Sequence, residues 1–338
     1  MYWEWLKIDL FQTGVARFTA QQFIAAGLTA QQRDLILSMS DQARGHVTVL
    51  SNILGSEAPG PCSYYYTFTG VREFLDTCLK VTTFVESTVY GFLPHLDSRA
   101  AAMLLLQSIA TGSSQELIFR QLLGLPPMPV WFEAGVPQSW GWTLLAPMIA
   151  SCPANTQRLV WENFPTLRIL NQPNPSRVNG TSGFNETNGA GLNVANTTGI
   201  PPDEFCFNST NADCKPGIAS NRTYPLTGPG RTVNLQWEMP GHLVGPNNSY
   251  VTTSQGKQPA FVAWVTQLNV TYTPLTGISP NGSTGQTVQP SLDTFEGDPA
   301  INGTVFIAIT DENVFLTPFN LSLINSHMVA GPALYQAG

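Results

Sequence analysis

Three ionisable residues, Glu4, His46 and Glu86, interrupt apolar stripes that recur at helical spacing. A carboxylate or imidazole on such a stripe faces the core, and desolvating it unpaired is costly, so each needs a counter-charge or a hydrogen bond. Two carboxylates and an imidazole have the donor chemistry to hold a first-row divalent cation. In helical bundles, a Glu from each of two helices and a Glu-x-x-His pair from each of two others hold a pair of metal ions. Only part of that set is present. Without metal, two neighbouring carboxylates do not both ionise cheaply, so either one proton is shared or His46 stands between them as imidazolium. The expectation is side-chain contact among Glu4, His46 and Glu86 with no ion between them. The alternative is a metal-dependent oxidase or metal-binding protein with one Fe, Mn or Zn ion on Glu4, His46 and Glu86, with Gln115 as a further ligand.

Four stripes must position these groups. Over residues 2–18, Glu4, Ile8, Phe11, Val15 and Phe18 fall on one face; over 30–54, Ile36, Met39, Ala43, His46, Leu50 and Ile53 do the same. The Thr29 to Asp34 region starts the second helix, and Gly55 followed by Pro59, Gly60 and Pro61 stops it. Residues 70–92 and 98–123 give two more helices, the last with Ser108, Gly112 and Gln115 on its inner side. Four long helices predict a bundle over residues 1–125. Residues 126–170 are rich in Trp and Pro and read as a belt packed on the bundle. Residues 171–231 are an Asn/Gly/Thr-rich excursion without periodicity, and 232–338 carry short alternating runs between Pro and Gly turns, which predict a loop-rich antiparallel β region. The fold class is therefore α+β.

Charged residues make up only 11% of the 338, against about 25% in ordinary soluble domains. Ten N-x-[ST] sequons, at Asn179, Asn185, Asn196, Asn208, Asn221, Asn247, Asn269, Asn281, Asn302 and Asn320, offer N-linked glycans as the missing solubilising groups. Fifteen basic against 22 acidic residues leave no basic footprint for nucleic acid or anionic lipid. The run Ala100 to Leu106 is far short of the roughly 20 apolar residues that cross a bilayer. Five cysteines without C-x-x-C spacing indicate disulfides. The expected pairs are Cys206 with Cys214, closing a short polar loop, and Cys62 with Cys152 at the bundle's edge, leaving Cys78 a buried thiol. A secreted glycoprotein, extracellular or in the cell wall, follows. Uncovered strand edges suggest a homo-oligomer or extracellular polymer.

Other constellations are thinner. Ser326 and His327 adjoin with no acid patterned near them, and His95 and His242 sit in turn-like contexts. No dinucleotide fingerprint or P-loop occurs. Trp131, Trp140 and Trp142 offer a sugar platform if exposed, and packing surface if not.

The stretches YWEWLKIDLF, LILSMSDQARGHVTVLSNILG, TTFVESTVYGFLPHLDSRAAAMLLLQSIAT, PMPVWFEAGVPQSWGWTLLAPMIASCP and SLINSHMVAGPALYQAG resemble the fungal secreted stress-response proteins with a ferritin-like domain, to which plant desiccation-related proteins are more distantly similar. The resemblance covers nearly the whole chain outside about 175–230. It implies a ferritin-like four-helix bundle whose first helix is truncated at Met1, followed by a β region. It also implies metal ligands at Glu4, at position 43 with His46, at Glu86, and at positions 112 and 115. Ala43 and Gly112 stand where that pattern has Glu, and Gln115 follows. The resemblance thus implies a vestigial site, no cofactor, and a non-catalytic structural or stress-protective role.

Overall fold

The structure is a computed structural model that describes residues 1–154, 156–173, 226–295 and 303–338. The bundle consists of α1 (Tyr2–Arg17), a short α2 (Ala20–Ala25), α3 (Ala30–Leu54), α4 (Val71–Phe92) and α5 (Arg99–Leu123). Their ends follow from local chemistry. Thr29 accepts from Gln32 N while the Gln32 side chain answers the Thr29 backbone, a reciprocal cap for α3. Ser98 caps α5, and Gly124, at φ 74°, ends it in the left-handed conformation that favours glycine. The sequence reading overlooked α2, whose reciprocal cap between Thr19 and Gln22 lies within six residues, too few for a periodicity. Leu6, Leu10, Phe11, Phe74, Leu79, Phe119 and Leu123 fill the space between the helices.

The belt is not irregular throughout. It contains α6 (Gln138–Leu145), which lies close along α4: a Cβ at Gly141 would fall 2.2 Å from Thr88 Oγ1. Trp140 and Trp142 are both buried. Trp142 stacks on Trp3 of α1 and meets Tyr250 edge-on, with centroids at 6.4 Å and 5.0 Å. Packing therefore claims these two indoles, whereas Trp131 is 55% exposed. The two-stranded ladder of β1 (Ser63–Tyr64) and β2 (Ile149–Ser151) is tied by the Cys62–Cys152 disulfide, the expected pair.

The remaining strands are β3 (Leu167–Ile169), β4 (Thr232–Trp237), β5 (Leu243–Val244), β6 (Tyr250–Val251), β7 (Phe261–Thr266), β8 (Asn269–Pro274), β9 (Thr284–Val288), β10 (Thr304–Thr310) and β11 (Met328–Gln336). All described pairings are antiparallel, in sheets ordered β11-β10-β7-β8, β3-β4-β9 and β5-β6. The four-stranded sheet is a middle layer. Phe306 and Ala308 of β10, with Ala263 and Val265 of β7, join the core shared with the bundle. The alternate residues Val305, Ile307, Ile309, Val262 and Trp264 join a second core under β3-β4-β9. The expected alternation is not what these two strands show: they are apolar almost throughout, because both of their faces are covered. Among the described residues, no helix is long and apolar enough to cross a membrane.

Candidate functional site: a buried lysine between two carboxylates

Glu4 stands in the first turn of α1, and Lys7, three residues on, projects from the same face. Lys7 is completely buried. Its Nζ lies 3.0 Å from Glu4 Oε1 and 3.3 Å from Glu86 Oε1 on α4. The other Glu4 oxygen, Oε2, lies 3.2 Å from His46 Nδ1 on α3. Glu4 therefore meets His46 directly, whereas Glu86 is joined to it through the ammonium of Lys7. Sequence reasoning missed Lys7, although its i,i+3 spacing from Glu4 placed it on the inner stripe; lysine is ordinarily an exposed residue.

Two small residues make room. A Cβ at Gly112 of α5 would fall 1.8 Å from Glu86 Oε1, so the Glu86 carboxylate occupies the space where any larger residue would stand. Gly112 is thus explained by close approach, which outweighs the roughly 1 kcal/mol that glycine costs a helix interior. Ala43, fully buried, packs with Ile8 and Val47. Gln115 turns away from the cluster, donating from Nε2 to Gln42 Oε1 at 2.9 Å and to Met39 O at 3.4 Å, both on α3.

Residues 1–125 match the Ferritin-like domain family. Over 340 aligned positions the chain is 45% identical to Protein rds1 of the fission yeast Schizosaccharomyces pombe, covering all of this chain and 79% of the yeast protein. The chain belongs to the fungal ferritin-like family of Protein rds1.

A ferritin-like bundle implies a pair of metal ions, and the residues of this family member do not fit one. Both oxygens of Glu4 are engaged, Lys7 supplies a fixed positive charge between the carboxylates, and positions 43 and 112 offer no donor atom. An incoming divalent ion would have to expel a fully buried ammonium. Among the described residues, no group of three or more His, Cys, Asp or Glu is arranged to hold a metal.

The cluster divides its charge unequally. Burial pushes Glu4 upward, but the Lys7 ammonium and the His46 hydrogen bond overcome this and hold the carboxyl at about 2. Burial dominates at Glu86: it exceeds the relief from the Lys7 ammonium, repulsion from Glu4 adds to it, and the carboxyl sits at about 7. Lys7 is pushed down by burial and more strongly up by its two carboxylates, so it remains an ammonium. One cation thus faces one firm anion and one carboxyl that ionises only near neutrality. Because an unfolded Glu titrates near 4.3, the native state holds a proton on Glu86 between roughly pH 4.3 and 7 that the unfolded chain has released. Stability from this group is fully present below that window and is lost as pH rises through it. Glu86→Gln should therefore gain stability relative to the parent as pH goes from 5 to 8. Denaturant midpoints across that range check it, and a difference that stays flat or reverses sign sinks the assignment.

The other residues singled out from the sequence fall as follows. The acid that no pattern placed beside His327 comes from the end of β10, where Asp311 Oδ1 lies 3.0 Å from His327 Nδ1. The Ser326 hydroxyl donates to Leu323 O, so the pair lacks a positioned nucleophile from Ser326. His95 and His242 are exposed. Cys78 is a buried free thiol, while Cys206 and Cys214 lie outside the described residues. Among the sequons, Asn247 and Asn281 are exposed and Asn269 and Asn320 are half-buried; Asn179, Asn185, Asn196, Asn208, Asn221 and Asn302 lie outside the described residues.

Proposed function

We propose that this ferritin-like chain is a secreted, N-glycosylated protein that works without catalysis, as a structural or stress-protective component outside the cell or in its wall. The observation that carries the reading is the Lys7 ammonium seated between Glu4 and Glu86, which does the charge balancing a metal would otherwise do. The low proportion of charged side chains, the sequons and the Cys62–Cys152 disulfide all support an oxidising, extracellular setting. The edge strand β8 offers backbone for pairing with a second copy, which supports assembly into a homo-oligomer.

One preparation tests the reading. Protein purified from the culture medium should lose mass on enzymatic removal of N-glycans, carry no stoichiometric Fe, Mn or Zn, and scatter light as more than a monomer. Glycans should sit on Asn247 and Asn281. Asn269 should be bare, because its Nδ2, the atom that would carry the sugar, donates to Asp293 O and Thr294 O. Stoichiometric metal that disappears in His46→Ala or Glu86→Ala would overturn the non-catalytic reading; retention of all protein inside the cell would overturn secretion.

A further inference from the structure

A second polar site lies where bundle, belt and β region meet, beside the Lys7 cluster, with Thr83 and Ser87 of α4 in its wall. It is a cavity of about 110 Å³ whose walls include Glu116 and Arg120 of α5, Phe132 and Glu133 of the belt, and Gln267 in the β7–β8 turn. Two buried donors in its wall have no partner among the described residues. Arg120 is 1% exposed; its Nε donates to Pro126 O and its Nη2 to Gly338 O, both at 2.6 Å, which pins the guanidinium and leaves Nη1 unused. Gln267 accepts at Oε1 from the backbone N–H groups of Trp131 and Phe132, at 2.8 and 3.1 Å. Those two donors fix which end of the amide is oxygen, so Nε2, also unpartnered, is necessarily a donor. Leaving buried donors unsatisfied is costly, so the site is built for an acceptor.

The charges select among acceptors. Burial, with repulsion from Glu133, raises the Glu116 carboxyl to about 8 and burial raises that of Glu133, so near neutrality the pair holds protons to donate and leaves little room for a further full negative charge, while a metal cation would meet the Arg120 guanidinium. A neutral hydroxyl suits both, because it accepts from Arg120 Nη1 or Gln267 Nε2 and donates to a carboxyl oxygen. Phe132 and Trp131, 48% and 55% exposed, stand together on the belt, and Phe132 lines the cavity. The Phe132 face matches the C–H surface of a carbon ring or chain that carries several hydroxyls.

We propose that this cavity binds a small polyhydroxylated molecule, either a free polyol or the terminal sugar of a glycan. Its volume, below the roughly 150 Å³ of a cavity that holds benzene, admits one end of such a molecule, a few hydroxyl-bearing carbons, with the rest at the open mouth. The proposal rests neither on secretion nor on the absence of metal at Lys7, so either reading can fail without the other.

Calorimetric titration of the intact protein with mannitol, and separately with a soluble mannose-terminated trisaccharide, tests the proposal. Saturable binding of mannitol alone identifies a free polyol, and of the trisaccharide alone or more tightly, a glycan end. Gln267→Glu keeps the accepting oxygen but replaces the Nε2 donor, and Glu116→Gln keeps the shape but removes the carboxyl. Each should weaken binding about tenfold with the melting temperature of the free protein little changed. If a variant fails to fold, protection of Trp131 fluorescence from quenching by the same ligands in the parent protein replaces it. No heat with either ligand up to about 50 mM, a site that holds only water, or affinity in both variants equal to that of the parent would overturn the proposal, as would tighter binding of citrate or Ca²⁺.

Discussion

Lys7→Met should destabilise the protein by about 3–5 kcal/mol, the range for removing one partner of a buried ion pair. Met nearly matches the lysine stem in volume, so the packing around Leu6 and Leu10 is retained and the loss reports the charge. Without the ammonium, Glu86 loses its ion-pair partner while Glu4 keeps His46. The expected rescue is specific. Adding Glu4→Gln and Glu86→Gln to Lys7→Met should recover most of the loss, because the buried charge that made the single variant costly is then gone. Denaturant unfolding of the parent, the single variant and the triple variant checks this. A single variant within about 1 kcal/mol of the parent would mean that the cluster is open to water and that Lys7 is not its counter-ion.

The second large effect is expected from opening the Cys62–Cys152 bridge. It closes a loop spanning 90 residues of sequence and joins the segment after α3 to the end of the belt. On the chain-entropy account a loop of this length is worth about 4–5 kcal/mol, and loss of a native disulfide typically costs about 2–5 kcal/mol. The paired Cys62→Ala and Cys152→Ala substitutions should lower the unfolding midpoint accordingly, with β1 and β2 the first to separate, since their short ladder is otherwise supported by Tyr65 N donating to Met148 O and by the Ser63 and Ser151 hydroxyls, 2.7 Å apart. Reduction of the parent should reproduce the effect. Cys78, buried with its thiol pushed well up by desolvation, should resist alkylation until the bundle itself unfolds. Rapid alkylation of Cys78 in the native protein, or a midpoint unmoved by both treatments, would contradict the packing described here.

The four long helices were legible in the chain because their determinants are local. Periodicity, a Thr or Ser cap and a terminal glycine act within a few residues, so α3 and α5 begin and end where those signals stand. Glu4, His46 and Glu86 were legible for the same reason, as breaks in an apolar stripe. The belt was harder to read. Its tryptophans fit a ligand platform as well as a core, and only the approach of Trp3, Tyr250 and the glycine face of α6 puts Trp140 and Trp142 inside.

What the sequence by itself determined is the α+β order of elements, the helical faces and the polar groups that break them. The Cys62–Cys152 bridge was also foreseeable, from two cysteines at adjoining turns. What only the tertiary structure decided is which charge answers which. Lys7 and Glu86 lie 79 residues apart, and no local pattern says that a lysine on α1 will stand where a metal would. Likewise, the two-faced burial of β7 and β10 and the unused donors of Arg120 and Gln267 arise where bundle, belt and sheet meet. The physical reason is common to all of them. Helix propensity and capping act over one or two turns, whereas desolvation and charge pairing depend on what long-range packing brings within about 4 Å.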